Sequence, residues 1–205
     1  VLERLPQILK KIKSIKYVVV VNYPGEKNIP SKLKIKKVKT YNCKELYKTQ
    51  PEKIKFLKFD FEHPLAILYS SGTTGKPKGA MLTQSNLLSN GSTLMNEWQF
   101  TNKDVLLHAL PLFHTHGLFV ATNVILSAGG SMVFLPKFDL DHIIQNLHKS
   151  TSIMGVPTFY TRLLSDSRFT KELVQHMRLF ISGSAPLLSE THIQFENRTG
   201  HRILE

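Results

Sequence analysis

Twelve residues, Tyr69-Ser70-Ser71-Gly72-Thr73-Thr74-Gly75-Lys76-Pro77-Lys78-Gly79-Ala80, constrain the fold of this chain more than any other stretch. They continue the apolar run Leu65-Ala66-Ile67-Leu68-Tyr69 and gather four Ser/Thr hydroxyls, three glycines and two lysines. Glycine lets backbone N–H groups turn toward an anion with no side chain in the way, and hydroxyls add donors at low steric cost. Lysine supplies the compact charge that a polyphosphate needs. Downstream, Thr83-Gln84-Ser85-Asn86 has the composition of a helix start. A strand, a glycine loop and a helix in that order are a common cradle for phosphates. The run is therefore expected to hold the phosphates of a nucleotide.

An ordinary P-loop does not fit the spacing. That motif needs four residues between its first glycine and the Gly-Lys pair, then Ser or Thr for magnesium. Here only Thr73 and Thr74 separate Gly72 from Gly75, and Lys76 is followed by Pro77, which has neither hydroxyl nor N–H. A plain surface turn draws on the same residue types, but it has no need of a buried strand in front of it.

Beyond the loop, strand and helix signals alternate. Leu87 to Trp98 continues a helix, Val105 to Leu110 reads as a strand stopped by Pro111, and Gly117 to Leu126 is apolar nearly all round, as a buried helix is. Ser131 to Leu135 is a strand, Asp139 caps a helix running to Lys149, and Ser152 to Gly155 is a strand ahead of a helix over Pro157 to Leu164. Arg178 to Ser182, Leu188 to Arg198 and His201 to Leu204 repeat strand, helix, strand. Such alternation predicts an α/β fold, a layered and mostly parallel sheet flanked by helices, with ligands beyond the carboxyl ends of the strands.

The first sixty residues differ. Leu2 to Ile15 has apolar residues at helical spacing, Tyr17 to Val21 is expected to be a buried strand from its β-branched run, Pro24 to Pro30 is a loop, and Cys43 to Lys48 suits a short helix. Lysines at 32, 34, 36, 37 and 39 interleave with Leu33, Ile35 and Val38, the pattern of a lysine-protected edge strand. Lys55 to Glu62 reads as irregular or extended. The net charge of +12 belongs almost wholly to this part: sixteen Lys/Arg face five Asp/Glu in 1–60, against eleven and ten in 61–205. The basicity thus lies away from the motif-bearing body. No zinc spacing or aromatic RNA-binding motif accompanies it, so no dedicated nucleic-acid role is expected.

No apolar stretch approaches the roughly 20 residues that span a bilayer. Charges interrupt Val1 to Lys16 and exclude a secretory pattern there, and the single Cys43 suits a reducing compartment. Both point to the cytoplasm, with an organelle matrix as the alternative.

Three further segments could carry chemistry. Leu110 to Leu118 holds His114 and His116 at a strand exit, but no third ligand lies at useful spacing, so no metal site is assigned. Ile181-Ser182-Gly183-Ser184-Ala185-Pro186-Leu187 is a strand followed by a turn. Arg162 sits in an otherwise apolar helix, where an arginine ordinarily packs its stem and solvates its head.

SSGTTGKPKGA resembles the phosphate loop of the acyl-adenylate-forming, or AMP-binding, superfamily: acyl-CoA synthetases, firefly-luciferase-like enzymes and peptide-synthetase adenylation domains. Within it, FHTHGL, GVPTFYTRLL, ISGSAPLL and TGHRILE look most like malonyl-CoA synthetases. The resemblance implies that the chain is an internal piece of a large N-terminal domain. Residues 1–60 would be a lysine-rich segment of that domain, and 61–205 its AMP-binding core. It implies ATP, Mg²⁺ and CoA as cofactors or co-substrates and a small carboxylic acid as substrate.

By the same resemblance Ser70, Ser71, Gly72, Thr73, Thr74, Gly75, Lys76, Lys78 and Gly79 hold the nucleotide phosphates. Gly183, Ser184 and Ala185 lie against adenine and the acyl group through backbone atoms. His114 borders the acyl-carboxylate pocket where the adenylate forms. A dicarboxylate needs a fixed cation for its non-reacting carboxylate, so Arg162, with help from His114 or His116, is expected to read that distal group, and Ser182 is expected to contact the substrate. These residues alone, lacking the family's later nucleotide segments and C-terminal lysine, are expected to give no significant turnover. A fatty- or aryl-acid adenylating enzyme is the in-class alternative, and a non-catalytic nucleotide- or polyanion-binding module is the alternative of another class.

Overall fold

A computed structural model of the chain describes residues 5–21, 38–48, 60–70 and 77–205. The chain falls into two compact units, Val1–Lys58 and Phe59–Glu205. In the first, helix α1 (Leu5–Lys11) precedes two short parallel strands, β1 (Tyr17–Val20) and β2 (Lys39–Asn42), followed by the single-turn helix α2 (Cys43–Leu46). Strand β1 forms where its β-branched run predicts, but it is not buried as expected: Tyr17 and Val19 are exposed and only Val20 is buried. The expected lysine-rich edge strand lies outside the described residues except at its end, where Lys39 opens β2. The expected loop at Pro24–Pro30 lies outside them altogether.

The second unit opens with strands β3 (Pro64–Ser70) and β4 (Lys78–Thr83), which pair antiparallel with Ser70 opposite Lys78. This corrects the expected strand, glycine loop and helix, and the expected burial of the strand as well, since Leu65, Ile67 and Tyr69 of β3 are exposed. The glycine-rich residues join two paired strands, and the helix, α3 (Gln84–Glu97), starts one strand later. Lys78-Gly79-Ala80-Met81-Leu82-Thr83 contains too little apolar alternation to announce a strand alone; its partner β3 supplies the order. The helix start itself is where the composition put it. Thr83 Oγ1 accepts from Asn86 N at 3.2 Å and Asn86 Oδ1 accepts from Thr83 N at 3.0 Å, a reciprocal capping box.

The core is a five-stranded, wholly parallel sheet built from β5 (Val105–His108), β6 (Ser131–Phe134), β7 (Ser152–Gly155), β8 (Leu179–Ser182) and β9 (Ile203–Leu204). Its order is β6-β5-β7-β8-β9, so the strand order reverses between β5 and β7. Helices α4 (Asn123–Ser127), α5 (Leu140–Leu147), α6 (Pro157–Leu164), α7 (Lys171–Val174) and α8 (Ser189–Thr199) connect the strands. The layered, mostly parallel α/β fold read from the alternation is the fold that forms.

Burial explains the layering. Strand β7 is buried along its whole length, and Leu106, Leu107 and His108 of β5 are at most 1% exposed. Helix α5 buries Ile143, Ile144 and Leu147, each worth about 1.5–3 kcal/mol on burial. Asp139 caps it by accepting from His142 N at 3.0 Å. Pro157 starts α6 at a position whose N–H would have no helical partner. Tyr160 then fixes α6 to the sheet by donating its hydroxyl to Ile181 O at 2.6 Å, and burial pushes its phenol pKa far up. Among the described residues no helix is long and apolar enough to cross a membrane.

At the amino ends of the central strands one carboxylate gathers the donors. Asp104 accepts from Thr101 N at 2.8 Å, from Thr151 Oγ1 at 2.8 Å, and from Arg178 Nε and Nη2 at 3.1 and 3.0 Å. Arg178 also donates to Trp98 O at 2.8 Å and lies over the Phe100 ring. Burial disfavours the Asp104 anion, but the hydrogen bonds from Thr101, Thr151 and Arg178 and the nearby positive charge outweigh it, and the pKa is lowered.

A carboxyl whose folded pKa is depressed contributes stability above its unfolded value, about 3.9, and loses it as pH falls through the folded value. Asp104→Ala should cost about 2–3 kcal/mol. That is less than a fully buried pair because Arg178 keeps 37% of its side-chain surface. Denaturant unfolding at neutral pH checks this; the deficit should shrink in acid below about pH 4.

Candidate functional site

The site forms where the strand order reverses, at the carboxyl ends of β5, β7 and β8. A crevice outside such a switch point is where ligands enter open parallel sheets. There a cavity of about 260 Å³ is lined by Leu110, Pro111, His114, His116, Gly117, Val156, Phe159 and Ser184. A larger space of about 390 Å³ between α3 and the helix that follows β5 is walled by Leu65, Gln84, Leu87, Leu88, Phe119, Asn123 and Ser127. It contains no ionisable side chain and offers no evident chemistry.

The buried helix expected over Gly117–Leu126 begins as a wider π-helix, His116–Thr122, and narrows into α4. Three bonds hold this wide turn. His108 at the end of β5 donates Nε2–H to Gly117 O at 2.9 Å, Thr122 Oγ1 donates to the same oxygen at 2.8 Å, and Thr122 Oγ1 lies 3.2 Å from His108 Nε2. Gly117 is obligatory, since a Cβ there would collide with the Pro111 carbonyl oxygen. Single-turn widenings of this kind are frequent at functional sites.

The turn presents two histidines differently. His114 is exposed, and its Nδ1 accepts from His116 N at 3.4 Å. His116 is 8% exposed and lies 3.2 Å through Nδ1 from Ser184 Oγ. Burial lowers the His116 pKa, and the neighbouring His114 and His108 push the same way. Burial likewise lowers that of His108, against the effect of its bond to Gly117 O. Both imidazoles are therefore neutral at pH 7 and able to accept or donate through one nitrogen each. Among the described residues no group of three His, Cys, Asp or Glu side chains is placed to hold a metal ion.

The β8 turn closes the cavity from the other side. Gly183 N donates to Gly155 O at 3.1 Å, and a Cβ on Gly183 would lie 3.1 Å from His116 Cε1, so the ring and the turn are in close contact. Ser184 adopts φ of 71°, a left-handed conformation that costs a non-glycine residue about 1 kcal/mol or more. That strain is held beside a ligand-sized cavity. Ser182, just before, is 2% exposed, and its Oγ has no partner. Ala185 is exposed and does not line the cavity.

The remaining residues singled out by sequence are distributed as follows. Ser70 ends β3; Lys78 and Gly79 are exposed at the start of β4, with Gly79 against the Ile67 and Tyr69 side chains. Ser71, Gly72, Thr73, Thr74, Gly75 and Lys76 lie outside the described residues. Arg162 is exposed on α6 and does not line the cavity; its guanidinium carbon sits 4.8 Å from the centroid of the Phe138 ring. His108, Thr122, Phe138 and Phe159 carry no sequence signal of a site. Their apolar or strand context reads as core, and only long-range packing brings them here.

Two outcomes test this geometry. Gly117→Ala should destabilise the chain by about 1–3 kcal/mol, as overpacking against backbone does, with a lower melting temperature than Thr115→Ala next to it. The histidines' depressed pKa values make their contribution complete above the unfolded value near 6.5 and lost as pH falls toward the folded values. Stability measured by urea titration should therefore decline below about pH 6.5, and less steeply in His116→Gln.

Comparison with known proteins meets this geometry. Residues 2–205 match the family described as AMP-binding enzyme. The chain is 38% identical over 164 residues to the malonate–CoA ligase of Arabidopsis thaliana, covering 70% of this chain and 27% of that protein. It is 36% identical over 170 residues to a long-chain-fatty-acid–CoA ligase of Bacillus subtilis, covering 80% and 30%. The crystal structure of ATP-bound MatB from Rhodopseudomonas palustris superposes with a TM-score of 0.79 at 43% identity, covering 99% of this chain and 42% of that one. The chain thus spans between 27% and 42% of the length of these relatives. Its parallel sheet, its switch-point cavity and this match along nearly its whole length make it a member of the AMP-binding enzyme family.

Proposed function

We propose that this chain is the acid-activating part of an ATP-dependent carboxylic acid–CoA ligase whose substrate is a short dicarboxylic acid, malonate in the first place. The observation that carries the reading is the cavity at the β5/β7 switch point, with His114, His116 and Ser184 on its walls. It occurs in a chain 43% identical to MatB and 38% identical to a malonate–CoA ligase. We read Val1–Lys58 as part of the same large domain as Phe59–Glu205, because the family match runs through both.

In the first step a carboxylate oxygen of the acid attacks the α-phosphorus of ATP. The P–O bond to the β-phosphate breaks, giving acyl-adenylate and pyrophosphate. In the second, the CoA thiolate attacks the acyl carbon, forming the thioester and releasing AMP. The protein contributes position and charge. The residues of 70–79 enclose the phosphates, with Lys76 and Lys78 offsetting their charge. His114 borders the reacting carboxylate, and the Gly183-Ser184-Ala185 turn supports adenine and acyl group through its backbone. The neutral His116 and the hydroxyl of Ser184 give the cavity polar contacts without adding charge, and the unpartnered hydroxyl of Ser182, buried behind the same turn, is a further substrate-binding candidate. Arg162 reads the carboxylate that does not react, since its fork matches a carboxylate with two parallel bonds. Mg²⁺ is expected to accompany ATP; the described residues form no cation site, so none of them is assigned to it. The setting is the cytoplasm or an organelle matrix.

A second reading, a fatty or aryl acid as substrate, is favoured by the largely apolar cavity walls Leu110, Val156 and Phe159 and by the Bacillus subtilis relative. Hydroxamate formation by the full-length protein separates the two. Malonate should be preferred to octanoate and benzoate, and Lys76→Ala should lower kcat/KM for every acid. Arg162→Ala should lower it for malonate about 10- to 100-fold, as loss of a charged hydrogen bond does, with little change for acetate. Equal losses on both acids would remove the dicarboxylate assignment.

A further inference from the structure

The described arginines divide four to one. Arg168 bonds Asp166 and Asp141, Arg178 bonds Asp104 and Trp98 O, Arg198 bonds Leu164 O, and Arg202 bonds Glu196. Among the described residues Arg162 alone of the arginines has a guanidinium that donates to no acceptor; it lies over the Phe138 ring instead. An aromatic ring attracts a cation but offers no carboxylate or carbonyl acceptor, so the guanidinium keeps its fork of donors unspent.

Phe138 also reaches the cavity. Its ring centroid lies 4.2 Å from that of Phe159, with the planes tilted by 45°, and Phe159 is a cavity wall. Phe159 is itself pinned, because a Cβ on Gly155 would already be 2.8 Å from its ring. Phe138 therefore touches both the cavity wall Phe159 and the Arg162 guanidinium. Phe159 and Arg162 stand three residues apart on α6, on one face of the helix. Phe138 comes from a different element, the turn just before the α5 cap Asp139. It is half-buried against the core, while Arg162 is exposed.

We propose that Phe138 is a positioning, specificity-determining residue for a dicarboxylic acid. It holds the Arg162 guanidinium next to the Phe159 side of the cavity with its donors free, so that the non-reacting carboxylate meets a pre-placed fork. This rests on the dicarboxylate reading given above. An unsupported arginine side chain surrenders rotamer freedom when it grips a ligand; the ring contact removes part of that cost before the acid arrives. A monocarboxylic acid makes no use of the fork and should be indifferent to the platform.

The test is steady-state kinetics of the full-length protein with malonate and with acetate. The variants are Phe138→Leu, Phe138→Met and Phe138→Tyr, each also made with Arg162→Ala. Leu and Met keep volume and lose the ring; Tyr keeps it. Phe138→Leu and Phe138→Met should raise KM for malonate about three- to tenfold, the fold-change equivalent of a cation–π contact. The kcat values and both constants for acetate should stay unchanged, and Phe138→Tyr should behave as the parent. In the Arg162→Ala background the Phe138 substitutions should add nothing on malonate. Equal effects on the two acids, or none on malonate, would show that Phe138 only fills space and would overturn the proposal. If one variant does not fold, the other apolar one and the Arg162→Ala pair decide the matter. Arg162→Ala losing both acids alike overturns the underlying reading, and the proposal with it. Malonate-selective loss in Arg162→Ala without any in the Phe138 variants overturns the role of Phe138 alone.

Discussion

Asp104 is the point on which the parallel sheet is assembled. A parallel sheet receives no help from tight hairpins, so something else must align the starts of its strands. Here one carboxylate bonds Thr101 just ahead of β5, Thr151 just ahead of β7 and Arg178 just ahead of β8, while Arg178 reaches back to the end of α3. Thr151 reinforces the alignment by accepting from Val105 N and by offering its carbonyl to Arg178 N. With the strand starts tied together, the strand ends also fall level, and the turns that follow them converge on one crevice. The carboxylate sits at the amino ends of the strands, opposite the cavity at their carboxyl ends, and none of the cavity's walls is among its partners.

At that crevice, backbone requirements are as demanding as side-chain ones. Gly117 must lack a Cβ because the Pro111 carbonyl is folded against it, a Cβ on Gly183 would crowd the His116 ring, and Ser184 accepts a left-handed backbone. The buried imidazoles occupy the space these concessions create. They remain uncharged, since the cavity's apolar walls offer nothing to stabilise an imidazolium. In the proposed reaction such a site would surround the reacting carboxylate without competing for its charge, leaving electrostatics to the lysines and to Arg162.

Much of this was legible in the sequence where a local signal agreed with tertiary structure. Helix α6 has the bounds that Pro157 and the apolar spacing predict, and Asp139 and Thr83 cap the helices their side chains announce. Strands β6, β7 and β8 appear within a residue of their predicted limits, because buried parallel strands are short uninterrupted apolar runs. What escaped was set by partners far away in the chain. Strand β4 exists through pairing with β3, not through its own composition. The π-helical turn exists because His108 and Thr122 share one carbonyl, which no periodicity encodes. Phe138 carries no local signal of a site, and its contact with Arg162 depends on how the turn before α5 meets α6. The short helix α7 (Lys171–Val174) was absent from the sequence reading, being a single turn capped by Thr170.

The bond from His108 to Gly117 also means that the turn carries its own reporter. An imidazole N–H that is 1% exposed and bonded to a carbonyl is shielded from bulk water, so its proton should exchange slowly enough to be observed directly by NMR. Such a proton is tied to the oxygen that both His108 and Thr122 hold, at the start of the segment bearing His116. Its resonance would register any opening of the turn, whether caused by ligand, by heat or by a distant substitution, with no label attached to the cavity itself.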